Sequence, residues 1–297
     1  MTKAKVNSPL ENQVHGRSMA QMTWHRLLKN KGAVVGMIFI VVLVGAAVAA
    51  GFLYDYDLDI VRMVASDSRQ PPSAAHWFGT DTMGRDIFAR VLYGARYSLI
   101  IGVGSVMLGL VVGMILGALA GFYGGVIDQL VMRANDILYS IPNIMTATVI
   151  VSVLGTSTVN LLIALAISSA SSFARITRAQ VMTIRGQEYI ESANAMGLPT
   201  WKIILRHIIP NCLSPIIVQV TLSIGSTIIA ASSLSFLGVG IPSPMPEWGA
   251  MLSDARGEIR NCGWMCVFPG LAIMFTVLAL NLLGDGLRDA LDPKLKK

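Results

Sequence analysis

Few residues in this 297-residue chain are spaced for covalent chemistry. Cys262 and Cys266 stand four apart and would share a helical face, as a disulfide or metal pair does. No histidine or acid accompanies them, and cysteine also packs as a small hydrophobe in apolar helices. With Cys212 they say little about redox compartment. The four histidines (His15, His25, His76, His207) are scattered. Asp81 and Asp86 read as the start of a capped, solvated helix rather than as metal ligands, so no metal site is expected. The sequence contains no G-x-x-x-x-G-K-[ST] loop to cradle ATP phosphates and no H-E-x-x-H. It also has no G-x-S-x-G elbow.

The side chains that remain for a functional path are hydroxyls. Ser168, Ser169, Ser171 and Ser172 form one cluster; Ser223, Ser226, Thr227, Ser232, Ser233 and Ser235 form another. Such groups can bond to their own helix backbone. Clustered over neighbouring spans they can instead line an uncharged, wettable path, with Ser168, Ser172, Ser223, Ser226 and Thr227 as candidates.

The elements that would hold them are membrane spans. The chain is 54% hydrophobic and 13% charged, with mean hydropathy +0.62; a soluble domain carries about 25% charge. A spanning helix needs about 20 apolar residues. The uncharged runs predict six, over 33–53, 98–121, 137–154, 159–174, 212–236 and 264–284. Pro142 and Pro269 lie in or beside spans and are positioned to kink them. A signal peptide is the other reading of the first run, but a lead of some 32 residues and a 21-residue apolar core are long for one.

Acids and bases avoid the predicted spans, whereas ion-coupled carriers place them at midplane. That argues against a self-sufficient carrier. A passive channel would show a filter or a ring of charge, and no filter motif is visible. With a cytoplasmic amino terminus, 16 of the 23 Lys and Arg fall inside and 7 outside, as the positive-inside rule expects. The +6 net charge is mostly this topology signal, and no basic soluble domain suggests nucleic acid.

The chain then divides into a cytoplasmic segment 1–32, a first span 33–53, an external loop 54–96, a core 97–286 and a tail 287–297. In the external loop, Ile87 and Val91, with Phe88 and Leu92, make an apolar stripe, and Asp86–Arg90 is an i,i+4 pair. The pattern predicts an amphipathic helix on the outer surface. Gly109, Gly113, Gly117 and Gly121 form a close-packing face, for a helix of this chain or for another subunit.

The polar stretch 185–211 separates two apolar runs. Gly197 suits a helix C′ position and Pro199 stops the helix. Thr200 is positioned to cap a second helix. There Trp201, Ile204, Leu205 and Ile208 predict one apolar face, opposite Lys202 and Arg206. The pair can rest on lipid headgroups or dock a cytoplasmic partner.

Glu191-Ser192-Ala193, then Gly197, then Ile209-Pro210 resembles the EAA loop of ABC-importer permeases, with Ser192 for the middle Ala. His207 and Ile209 stand at that pattern's Ile and Leu positions. "FGTDTMGRDIFARVLYGARYSL", "SLSFLGVGIPSPMPEWGAML" and "LALNLLGDGLRDALDPKLKK" look like the dipeptide/oligopeptide permeases, the C-type subunit in particular. The resemblance covers about residues 22–297. It implies an all-α integral membrane protein of six transmembrane helices, with a first helix appended to a type-I ABC importer permease core. It implies a homologous second permease, two cytoplasmic ABC ATPases that bind ATP and Mg, and an external substrate-binding protein. The chain itself would be a non-catalytic subunit without a cofactor, in the cell membrane with both termini cytoplasmic. By the same resemblance, Glu191, Ser192, Ala193 and Gly197 belong to the ATPase-coupling element. Ala195, Met196, Leu198, Pro199, Thr200 and Trp201 complete its contact tip. Peptides are the implied substrate; nickel or metal chelates, glutathione and opines are the alternatives within the family, and a stand-alone channel or carrier lies outside it.

Overall fold

The computed structural model describes residues 19–291; the basic residues expected inside at Lys3, Lys5, Arg17, Lys294, Lys296 and Lys297 lie outside them. Among the described residues the chain is helical, with one isolated bridge, Thr80 to Asp86. A short helix α1 (Met19–Leu27) leads to α2 (Lys31–Leu53), whose first turn is capped by the Asn30 side chain accepting from the Ala33 N–H. A loop with short π and 3₁₀ turns at Tyr56–Val61 and Ala65–Asp67 follows. Next come α3 (Ile87–Tyr123), α4 (Gly125–Ser140), α5 (Asn143–Leu154) and α6 (Thr158–Arg185). A hairpin of α7 (Glu188–Ala195) and α8 (Thr200–Ile203) runs through a π segment, Ile204–Ile208, into α9 (Ile209–Phe236). The described chain closes with α10 (Trp248–Ala255) and α11 (Trp264–Leu291).

Five of these stretches, 31–53, 87–123, 158–185, 200–236 and 264–291, are long and apolar enough to cross a membrane. The pair α4 and α5, bent by 91°, makes a sixth when taken as one broken span, where the third span was expected over 137–154. Pro142 stands at the bend, where it has no N–H to continue the α4 ladder and instead opens α5.

The other spans begin or end beyond the apolar runs. The second starts at Ile87 rather than at 98, so the expected surface helix is the first part of α3. Its stripe is covered by protein: Ile87 and Val91 pack with Trp248, Met251, Ala255, Cys262 and Met265. The Asp86–Arg90 pair does not form. Asp86 caps α3 through the Ala89 N–H and holds His76 Nδ1 at 2.8 Å. Arg90 is buried, donates to the Ile60 carbonyl at 2.8 Å and lies 3.8 Å from Asp81. The fourth span runs on to Arg185 because its basic residues find partners on α4. Arg178 meets Asp128 through two bonds of 2.5 Å, and Arg175 meets Asp136 at 3.1 Å.

One contact organises the bundle. A Cβ at Gly109 would lie 2.6 Å from Ser169 Cβ. At Gly113 and Gly117 it would strike the carbonyl oxygens of Ala170 and Ala174, and at Gly121 it would lie 2.9 Å from the Arg178 carbonyl oxygen. Of the two readings of the glycine face, packing within the chain is the one observed, with α3 lying backbone to backbone on α6.

At the amino-terminal end of α3, a polar layer ties the 54–86 loop to α10. Arg85 bridges Asp81 at 2.6 Å and Asp254 at 3.4 Å, and Arg69 meets Glu258 at 2.7 Å. The fully buried Glu247 caps α10 by accepting from the Gly249 and Ala250 N–H groups, each at 2.9 Å. The 185–211 hairpin sits at the other end of α3, some 55 Å away by helix rise.

Gly113→Leu should therefore separate α3 from α6, at an overpacking cost of about 1–3 kcal/mol or more. Thermal unfolding of the detergent-solubilised chain should show a lower Tm than for Gly45→Leu, since Gly45 has no atom within 4 Å of its would-be Cβ. Equal Tm values would refute the assignment.

Candidate functional site

The hairpin has a buried root and a bare tip. Gly186 ends α6 and Gln187 opens α7. Met196 closes α7, and Gly197 follows at φ +75°, a left-handed conformation that side chains resist. The Leu198 N–H reaches back to the Ala193 carbonyl at 3.2 Å and the Gly197 N–H to Asn194 at 2.9 Å, which satisfies the last carbonyls of the helix. The expected cap at Thr200 moves back one residue. Pro199 holds the N-cap position with no side-chain bond, its carbonyl accepts from Lys202 and Ile203, and Thr200 is the first helical residue.

The root is apolar. Ile190, Ala193, Ile203 and Ile208 are buried with Phe122 and Ala118 of α3, Val181 and Ile184 of α6, and Cys212 and Ile216 of α9. Leu198 packs partly against this cluster. The hairpin thus rests on the same helices that the glycine face brings together.

The tip is exposed. Glu191, Ser192, Ala195, Gly197 and Pro199 face outward, and Met196 and Trp201 are 74% and 61% accessible. Thr200 is half-buried. The predicted stripe of Trp201, Ile204, Leu205 and Ile208 is split: Ile208 is buried, Ile204 partly so, and Leu205 is exposed with Trp201. The inward pair is Ile203 and Ile208, five apart, because residues 204–208 form a π turn. Pro210 accounts for the turn. It lacks an N–H, its ring would clash with the carbonyl four residues back, and the Ile209 N–H bonds to Ile204 instead. Counting at α-helical spacing therefore missed Ile203; Pro210 was the available signal. Met196, Trp201 and Leu205 thus stand as exposed apolar side chains over an apolar root.

The α6 hydroxyl candidates lie on a face turned away from α3. Residues 169, 170, 173, 174 and 177 of α6 meet the glycines, whereas Ser168, Ser172, Ile176 and Gln180 follow each other four apart on another side. Ser168, Ser172 and Ser223 are half-buried, Ser226 is exposed and Thr227 is buried. Ser226 donates to the Ser223 carbonyl at 3.0 Å, and Gln219 Nε2 donates to Ser223 Oγ at 3.1 Å. Toward the hairpin, a cavity of about 650 Å³ opens between α6, α9 and the ends of α1 and α11, lined by Gln180, Asn211, Ser214 and Gln219 among others. The amides of Gln180 and Gln219 went unnoticed in the sequence, although they continue the candidate serine faces by two turns and one turn.

The cysteines take packing positions: Cys212 in the hairpin root, Cys262 beside Trp248 and Met265 with Cys266 against that cluster.

Comparisons with known proteins bear on the family and the fold. The family described as the inner membrane component of binding-protein-dependent transport systems matches residues 109–297. The amino-terminal TM domain of oligopeptide transport permease C matches residues 18–72. A dipeptide transport system permease protein, DppC of Alkalihalophilus pseudofirmus, is 46% identical over 100% of this chain and 97% of its own length. A glutathione transport system permease protein, GsiD of Pectobacterium atrosepticum, is 46% identical over 92% of this chain and 90% of its own. Among solved structures, an inward-facing form of the MetNI methionine ABC transporter superposes with TM-score 0.57 at 18% identity. It covers 68% of this chain and 96% of that one.

The left-handed turn gives a direct test. Gly197→Ala meets no neighbouring atom, so its cost is conformational, about 1–2 kcal/mol. Hydrogen exchange at the Leu198 amide should speed up roughly tenfold, and less for Gly197→Asn, which tolerates this region better. Unchanged protection in Gly197→Ala would contradict the cap.

Proposed function

The chain belongs to the inner-membrane permease family of binding-protein-dependent transport systems, and from that premise we propose that it is the peptide-importing half of an ATP-driven translocation path. The observation that carries the proposal is the hairpin: a bare Met196–Trp201–Leu205 tip mounted on the buried Ile190, Ile203 and Ile208. A docking partner with two nucleotide-dependent shapes would move such a lever, since a conformational change requires differential contacts in its two states. The root would transmit the displacement to α3, α6 and α9 together. Glu191, Ser192, Ala193, Ala195, Gly197, Leu198, Pro199 and Thr200 shape the element that meets the partner. The family's partners by this reading are two cytoplasmic ATPases that bind ATP and Mg, a second permease across the path and a binding protein on the opposite face. The chain itself performs no catalytic step.

In this arrangement the hairpin and both termini face the cytoplasm, and the polar layer around Asp81, Arg85 and Asp254 faces outward. Ser168, Ser172, Ser223 and Ser226 line this subunit's share of the path, which widens toward the hairpin into the amide-lined cavity. Buried Thr227 supports that wall from behind. Dipeptides or oligopeptides are the primary substrate reading. Glutathione is the second, because a glutathione permease matches at the same 46% identity.

Gly197→Asp places a charge in the bare turn and should uncouple ATP hydrolysis from uptake or detach the ATPase. Trp201→Glu should act in the same direction. Wild-type uptake together with wild-type ATPase copurification in both variants would defeat the coupling assignment. The purified chain alone should hydrolyse no ATP; turnover free of contaminating ATPase would refute the division of labour.

A further inference from the structure

The cavity beneath the serine faces has a charge pattern of its own. Arg26, near the end of α1, and Arg288, in the last turn of α11, both line it. No acidic residue is among its described lining residues. The nearby Asp289 is turned to the Asn30 side chain at 3.2 Å. Two guanidiniums beside a low-dielectric cleft focus positive potential into it. Guanidinium is also the donor that best matches a carboxylate, because its planar fork bonds both oxygens.

The remaining walls define the body that would carry this carboxylate. Gln180 offers donors and an acceptor; Asn211 and Gln219, whose amide nitrogens donate to the His207 carbonyl at 2.6 Å and to Ser223 Oγ at 3.1 Å, offer their side-chain oxygens as acceptors for peptide N–H groups, while Ile176 and Val218 supply apolar wall. The volume, about 650 Å³, is that of a small-molecule site. α9 turns its other side to the bundle: Ile224 and Ile228 lie against Gly102, and Cys212 and Ile216 sit in the hairpin root. The cavity therefore opens on the side of α9 away from α3.

We infer that Arg26 and Arg288 form a carboxylate-binding vestibule at the hairpin end of the path, which holds the free carboxylate of a small peptide as it leaves the serine-lined segment. The inference rests on the peptide-permease reading. It narrows the substrate class to compounds with a free carboxylate on an amide-bearing body, which both a dipeptide and glutathione satisfy. Two arginines from different helices suit retention of an anion that must also depart, because neither belongs to an enclosed cage.

The test uses the assembled transporter (this chain, second permease, ATPases and binding protein) in proteoliposomes containing ATP. Uptake of labelled dialanine is measured with unlabelled dialanine, or dialanine C-terminal amide, inside the vesicles. In the wild type the free acid should inhibit from within at roughly tenfold lower concentration than the amide, as expected for a lost charge-assisted bond. Arg26→Gln combined with Arg288→Gln should bring this ratio to about one, and Lys at both positions should restore part of it. A ratio retained in the Gln variant would overturn the vestibule. So would a Gln effect that appears only when anionic lipid is varied, which assigns the arginines to headgroup phosphate. Should the Gln variant fail to assemble, photolysis of a benzophenone dipeptide on the wild-type complex replaces it. Labelling of α1, α9 or α11 that weakens with the amide supports the site, and labelling elsewhere only removes it. Absence of any dipeptide uptake by the wild type would overturn the peptide reading, and this inference with it.

Discussion

The backbone contact between α3 and α6 is the constraint on which the rest of this structure depends. Four glycines spaced one turn apart let α3 approach until any side chain there would meet the carbonyls or Cβ atoms of α6. In lipid no hydrophobic force drives helices together, so close van der Waals packing must do so. The same approach brings Phe122 and Ala118 beside Val181 and Ile184, and that surface is the seat of the hairpin. A wider α3–α6 spacing would leave Ile190, Ile203 and Ile208 without a common root.

The hairpin joins two opposed requirements. For the coupling role proposed above it must be stiff, so that a push at the tip reaches the spans, and it must keep apolar side chains exposed at that tip. The left-handed Gly197 and the fixed φ of Pro199 supply a short, rigid turn at small steric cost. The π turn before Pro210 then rotates α9 relative to α8, which puts Ile203 and Ile208 on the root and leaves Trp201 and Leu205 outward. A proline that looks like a helix breaker here sets which residues are buried and which stay exposed.

Charge placement follows the same logic. Arg175 and Arg178 marked the end of an apolar run in the sequence, yet α6 continues through them because α4 supplies Asp136 and Asp128. Arg90 lies in a segment patterned as a surface helix, yet it is buried under the 54–86 loop, where it donates to the Ile60 carbonyl. For Arg90 a partner distant in sequence offsets a desolvation cost, and for Arg175 and Arg178, which stay partly exposed, distant carboxylates pair charges that local pattern alone would have read as a boundary.

The amino-acid sequence by itself determined the class of molecule, the approximate place of its spans and the break at Gly197–Pro199. Each of these follows from local physics: twenty apolar residues suffice for a span, and a glycine followed by a proline ends a helix wherever it occurs. Tertiary structure decided what the glycine face packs against and that the stripe at Ile87 and Val91 is covered by protein. It also decided that the third span bends at Pro142 and that Ile203, not Trp201, is the anchor of the hairpin. It alone brought Arg26 and Arg288 to one cavity, since residues 262 positions apart become neighbours only when α1 folds onto the end of α11. Periodicity reports which side of a helix is apolar, but not whether lipid, a neighbouring helix or a partner covers it.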